Sequence, residues 1–183
     1  QWLSLNPTGI FEGGQSAPSA TITPDGVLWV VGDGGGDCTA IGVAAHDGAS
    51  WSTLPDGPHP SIECPNGSPA VSVVNDQLTI LGHSGNKVWI SQWNGEAFTA
   101  PADAIVATDV EKLDFAHMIS NAGGSAAIFI QDGKLTTRIL GDDGWYKPGN
   151  GQLNMRLDLA EAQLIDASLS ASGQLSILFS DFT

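Results

Sequence analysis

The sequence predicts an all-β protein, a β-propeller of four-stranded blades with about four blades in this chain. Three observations carry that reading. An aromatic-led turn recurs: Asp47-Gly48-Ala49-Ser50-Trp51, Asn94-Gly95-Glu96-Ala97-Phe98 and the shorter Asp143-Gly144-Trp145 place Trp51, Phe98 and Trp145 at intervals of 47 residues. A second set of turn dipeptides, Asp25-Gly26, Asn75-Asp76, Gly123-Gly124 and Ser172-Gly173, is spaced 50, 48 and 49 apart. An apolar strand follows each member of this second set. A repeat of about 40–50 residues holding four strands is the signature of a propeller blade, which buries its faces only by stacking on neighbouring copies.

The first strand of each unit is built from small residues: Ala17 to Thr23, Pro69 to Val74, Ala116 to Ser120 and Ala167 to Ala171. Small side chains suit strands that crowd round a common axis. The second strands are Val27 to Val31, Leu78 to Leu81, Ala126 to Ile130 and Leu175 to Phe179. They are near-continuously apolar, as expected of strands covered on both faces. Third strands follow at Ala40 to His46, Lys87 to Trp93 and Leu135 to Leu140. Asp-Gly and Asn-Gly tolerate positive φ at both centres of a type I′ turn, so each recurring aromatic is expected to open a fourth strand directly after a tight turn. The only short stretches with a helical look, Val110 to Phe115 and Leu157 to Leu164, fall between blades.

The blades therefore run over about 17–54, 68–101, 116–148 and 166–183, with an N-terminal strand at 1–5 around Trp2, 49 residues before Trp51. Two readings of closure stay open. Four blades close alone with the last one short, or the chain is part of a larger propeller completed by another chain. The second is preferred, because a chain stopping straight after a buried strand leaves an edge unprotected.

Composition narrows the function classes. Six Lys and Arg against 20 Asp and Glu give a net charge of −14 over 183 residues. Such a field repels phosphate backbones and anionic lipid, so nucleic acid and membrane surfaces are poor partners. No segment approaches the roughly 18 apolar residues of a membrane span. Gln1 opens no basic, apolar leader, so any signal peptide is expected to be already removed.

The run Leu28-Trp29-Val30-Val31-Gly32-Asp33-Gly34-Gly35-Gly36, followed by a third strand and Trp51-Ser52-Thr53-Leu54-Pro55, resembles a kelch blade. Leu78-Thr79-Ile80-Leu81-Gly82 with Phe98-Thr99-Ala100-Pro101 repeats the pattern, so the resemblance covers about half the chain. It implies a propeller, in a group that includes intracellular partner-binding proteins and secreted galactose-oxidase-type domains. The copper-ligand set of galactose oxidase has no counterpart, since Tyr146 is the single tyrosine. Asp47 to Trp51 is one residue too short for a sialidase Asp-box.

Cys38 and Cys64 fall in the second-to-third-strand loop of the first blade and in the connection to the next blade. Those two loop types emerge on one propeller face, so a disulfide is expected, as suits an oxidising compartment. Closing a loop of about 25 residues would stabilise the fold by about 3 kcal/mol. The same face is expected to collect Asp33, Asp37, His59, Glu63, Asn66, His83, Ser84, Asn86 and Asp109, because loops on a rigid scaffold carry binding residues. Asp33 and Asp37, three glycines apart, could share a Ca2+ ion or simply form a solvated turn. No zinc spacing occurs among the four histidines. Trp89 and Trp93 share a strand face with Ser91 between them, which makes either a shelf for a sugar ring or packing between blades.

No nucleophile elbow or phosphate loop is present. Carboxylates for glycoside cleavage are conceivable among Asp33, Asp37, Glu63 and Asp109. The leading expectation is a secreted, non-enzymatic recognition or adhesion module that binds carbohydrate or protein through this loop face. The alternatives are part of a secreted propeller enzyme, a glycosidase or polysaccharide lyase, and a subunit of an assembly in which the open blade docks another chain.

Overall fold

In the computed structural model, residues 18–33, 41–54, 69–99, 105–110, 113–122, 124–131, 134–147 and 163–180 are described. Strands β1 (Ser19–Ile22), β2 (Leu28–Asp33), β3 (Ile41–His46) and β4 (Trp51–Leu54) form one sheet in that order. A second holds β5 (Ala70–Val74), β6 (Gln77–Ser84), β7 (Lys87–Gln92) and β8 (Ile105–Thr108). A third holds β9 (Leu113–Asn121), β10 (Gly124–Gln131), β11 (Lys134–Gly141) and β12 (Gly144–Tyr146). The fourth is the antiparallel pair β13 (Gln163–Leu169) and β14 (Leu175–Ser180). Every pairing is antiparallel between sequence neighbours, so each sheet is one blade.

The blades stack through their inner strands: β1 lies beside β5, β5 beside β9, and β9 beside β13. The Val71 amide donates to Ser19 Oγ at 3.1 Å, joining the first two inner strands directly. Among the described residues no comparable packing joins β13 back to β1. The architecture is that of a partial propeller.

Alternation within each strand explains the core. Ile80 and Leu78 turn toward the first blade, where they pack with Val31, Val43 and Trp89, while Leu81 turns toward the third, with Val88, Met118 and Phe129. A smaller cluster around Ile128 and Ala167 joins the third blade to the fourth. A second strand covered on both sides has no polar face, hence its unbroken apolar run.

Three local expectations are corrected. The turns at Asp47 and Asn94 are not type I′, because only Gly48 (φ 96°) and Gly95 (φ 103°) have positive φ there. Instead the side chain replaces a backbone bond: Asp47 Oδ1 accepts the Ala49 and Ser50 amides, and Asn94 Oδ1 accepts those of Glu96 and Ala97, all at 2.9 Å. Positive φ at both centres is found at Asn75 (50°) and Asp76 (62°), between β5 and β6. Phe98 does not open the fourth strand of the second blade: it forms a single bridge with Trp93, and β8 begins at Ile105. A register shift between Val88 and Trp89 accompanies that split. The helical stretches also fall away where described, since Leu113 to Phe115 and Gln163 to Leu164 are strand.

Candidate functional site

Antiparallel order puts the two ends of every blade on opposite faces. The first-to-second and third-to-fourth turns share one face; the second-to-third turns and the inter-blade connections share the other. The second of these is the face to which the sequence assigns its candidate residues. Asp37, His59, Glu63, Asn66, Cys38 and Cys64 lie outside the described residues, as does the strand around Trp2. The disulfide and the shared cation site fall with them. Asp33 ends β2, paired through its backbone with Ile41. Among the described residues no group of three or more His, Cys, Asp or Glu could hold a metal ion. The described residues contain no helix long and apolar enough to cross a membrane.

Among the described residues of that face, His83, Asn86 and Val110 build a latch. His83 is not a loop histidine but a core one, 1% exposed, and its Nε2 lies 2.8 Å from the Val110 carbonyl. A carbonyl only accepts, so Nε2 carries the proton. The Val110 amide donates to the Asn86 carbonyl at 3.1 Å, and Val110 itself is fully buried. Together these bonds tie the connection after β8 onto the β6–β7 turn. Asp109 beside them is exposed, takes φ 60°, and accepts the Thr108 hydroxyl at 3.2 Å.

Trp89 is corrected in the same way. It is 1% exposed, and its Nε1 donates to Ser84 Oγ at 3.1 Å. Ser91 between the two tryptophans is fully buried and donates to the Thr99 carbonyl at 2.7 Å. Of the two readings of this pair, packing between blades is the one found for Trp89, which lies with Ile80 and Val43, and no shelf forms from the two tryptophans. Trp93, half-buried at the far end of the strand, stays accessible.

Trp93 contributes to a different site. A cleft of about 420 Å³ opens between the first two blades on the opposite face. The first blade supplies Thr23, Asp25 and Trp29 from the β1–β2 turn and the start of β2. The second supplies Asp76 from its equivalent turn, Gln77 and Leu78 from the start of β6, and Trp93. The Trp29 and Trp93 ring centroids are 5.7 Å apart at 52°, and buried Phe98 braces both, at 6.5 Å and 5.0 Å. The Trp93 amide also donates to the Leu78 carbonyl at 2.9 Å, which fixes its backbone to β6. Asp25 and Asp76 were legible only as turn formers, and Trp29 only as one more apolar strand residue. Nothing local distinguishes a tryptophan at a cleft from one in the core.

One further pair sits by the inner strands. His117 on β9 lies close enough to Asp166 on β13 to feel its charge. Burial holds the His117 imidazole below its ordinary pKa, and the Asp166 carboxylate offsets part of that shift. Asp166 stands at a register shift in β13, and its Oδ1 accepts the Ala167 amide at 2.8 Å.

No family model matches this chain, and no curated protein matches it. Solved structures of similar fold include two. One, from Bacteroides ovatus, is described as xyloglucan PUL GH43B: 15% identity, TM-score 0.54, over 75% of this chain and 29% of that one. The other is an alpha-L-arabinofuranosidase (CtGH43) from Clostridium thermocellum: 17% identity, TM-score 0.48, over 71% of this chain and 48% of that one. The chain thus spans less than a third of the first and about half of the second. At this identity the likeness establishes the propeller fold, and it does so without singling out the kelch group. It also corrects the leading functional expectation. The similar structure at a TM-score of 0.54 is described as a GH43B protein, so a non-enzymatic recognition module is not what this comparison supports.

Proposed function

We propose that this chain is part of an extracellular propeller glycosidase acting on a neutral polysaccharide of the xyloglucan type. The observation that carries the reading is the match of three-quarters of the chain to the GH43B propeller at a TM-score of 0.54. Glycoside cleavage needs two carboxyl groups across the scissile bond, one protonating the leaving oxygen, the other attacking the anomeric carbon or activating water. Asp33, Asp37, Glu63 and Asp109 are the candidates: Asp33 ends β2, Asp109 follows β8, and the spacing of the repeats in the sequence puts Asp37 and Glu63 in connections of the same kind. The Cys38–Cys64 disulfide belongs to the same reading, pinning that face in an oxidising compartment.

The test is release of reducing ends from xyloglucan, arabinoxylan and other neutral polysaccharides. Asp33→Asn, Asp37→Asn, Glu63→Gln and Asp109→Asn are assayed alongside. Turnover is expected, and loss of an essential acid or base should lower it by about 10²–10⁴-fold. Absence of turnover on every substrate, or turnover untouched by all four substitutions, overturns the reading.

A further inference from the structure

We propose that the cleft between the first two blades is a sugar-binding site, separate from the loop face and specific for neutral glycans. Its volume, about 420 Å³, suits one or two sugar rings. Trp29 and Trp93 form its apolar wall. With their centroids 5.7 Å apart, the two rings touch each other, so nothing can be sandwiched between them. They present one bent platform, on which the C–H face of a sugar ring can stack. A cage around a quaternary ammonium would need the rings held apart.

The rim supplies the other half of sugar recognition. Asp25, Asp76 and Gln77 stand exposed at the edge of the platform. Their oxygens accept from sugar hydroxyls, and a carboxylate acceptor makes the stronger, charge-assisted bond. The same two carboxylates, in a chain of net charge −14, repel uronic acids. The platform is also preorganised: Phe98 braces both indoles, and the Leu78 carbonyl holds the Trp93 backbone. Asp76 reinforces the assignment. It holds φ 62° in a two-residue turn where glycine would be unstrained, and so keeps a carboxylate at the rim.

This inference goes beyond the hydrolytic reading and does not depend on it. Calorimetric titration of the full chain separates them, using xyloglucan oligosaccharides, oligogalacturonides and tetramethylammonium chloride as probes. The neutral oligosaccharides are expected to bind, with Kd raised about tenfold or more by Trp93→Ala and several-fold by Asp76→Gly. The second variant keeps the fold, because glycine relaxes the positive φ. Asp33→Asn should leave this binding intact even if it abolishes turnover. No binding of the neutral oligosaccharides, equal binding of oligogalacturonides, or binding indifferent to both cleft variants overturns the proposal. Tetramethylammonium binding lost in the variants, without sugar binding, reassigns the cleft to a cation.

Discussion

Trp89 covers Gly82, its cross-strand partner, so closely that a Cβ on Gly82 would stand 2.3 Å from Trp89 Cη2 and 2.4 Å from Cζ2. Both neighbours are ring atoms of a side chain that is itself 1% exposed between blades, so neither can withdraw. Gly82→Ala should therefore destabilise the protein by about 1–3 kcal/mol through overpacking. A lower denaturation midpoint at unchanged m-value is the expected reading, and an unchanged midpoint would show that the indole can move aside.

The His83 latch makes a second prediction. His83→Leu keeps the volume roughly constant but strands the Val110 carbonyl in a buried site, where Val110 is fully buried. The cost should be about 1–3 kcal/mol. Amide exchange should rise at Val110 and in the β6–β7 turn before it rises elsewhere. Uniform loss of protection would argue against a local latch.

His117 gives the molecule an acid-sensitive inner seam. Burial depresses its folded pKa below the ordinary value of about 6.5, so the fold favours the neutral ring. The unfolded chain then binds the extra proton. Stability from this group is complete above about pH 6.5 and is lost as pH falls through the lower folded value. Asp166→Asn removes the offsetting negative charge, so the folded pKa should fall further and the acid-side loss should grow. An NMR titration of the His117 ring in both proteins checks the direction; a rise in the variant would refute it.

The two side-chain-capped turns should part company in acid. Backbone amides of Ser50 and Ala49 bonded to its carboxylate hold Asp47 below the ordinary carboxylate range. A depressed pKa means that its support is present above the unfolded value and lost as pH falls through the folded one. Asn94 makes the same pair of bonds with a group that does not titrate. Amide shifts of Ala49 and Ser50 should therefore move on acidification while that of Ala97, held by Asn94, stays put. Asp47→Asn should make the first turn behave like the second.

The blades were legible because their cause is local and repeated. The aromatic-led turns at Asp47-Gly48 and Asn94-Gly95 marked the ends of β3 and β7 within a residue or two. Small residues such as Ala70 and Ala116 marked the inner strands. The misreadings have a shared cause as well. Phe98 matched Trp51 and Trp145 in spacing, but its bridge to Trp93 depends on how the intervening chain folds back, which spacing does not report. Trp89 and Trp93 are equivalent under the two-residue strand period, yet one is sealed under Gly82 and the other borders a cleft. That difference arises from distance along the blade.

Chain order and side-chain size by themselves determined a repeating four-stranded unit, because strand pairing between sequence neighbours needs only turns of the right geometry and faces of the right polarity. Which polar and aromatic groups are reachable was decided in the tertiary structure alone. Trp89 vanishes, and Asp25, Asp76, Trp29 and Trp93 converge, only once two blades about 50 residues apart in the chain are stacked. Burial is a property of the pair of surfaces in contact, and no single blade contains it.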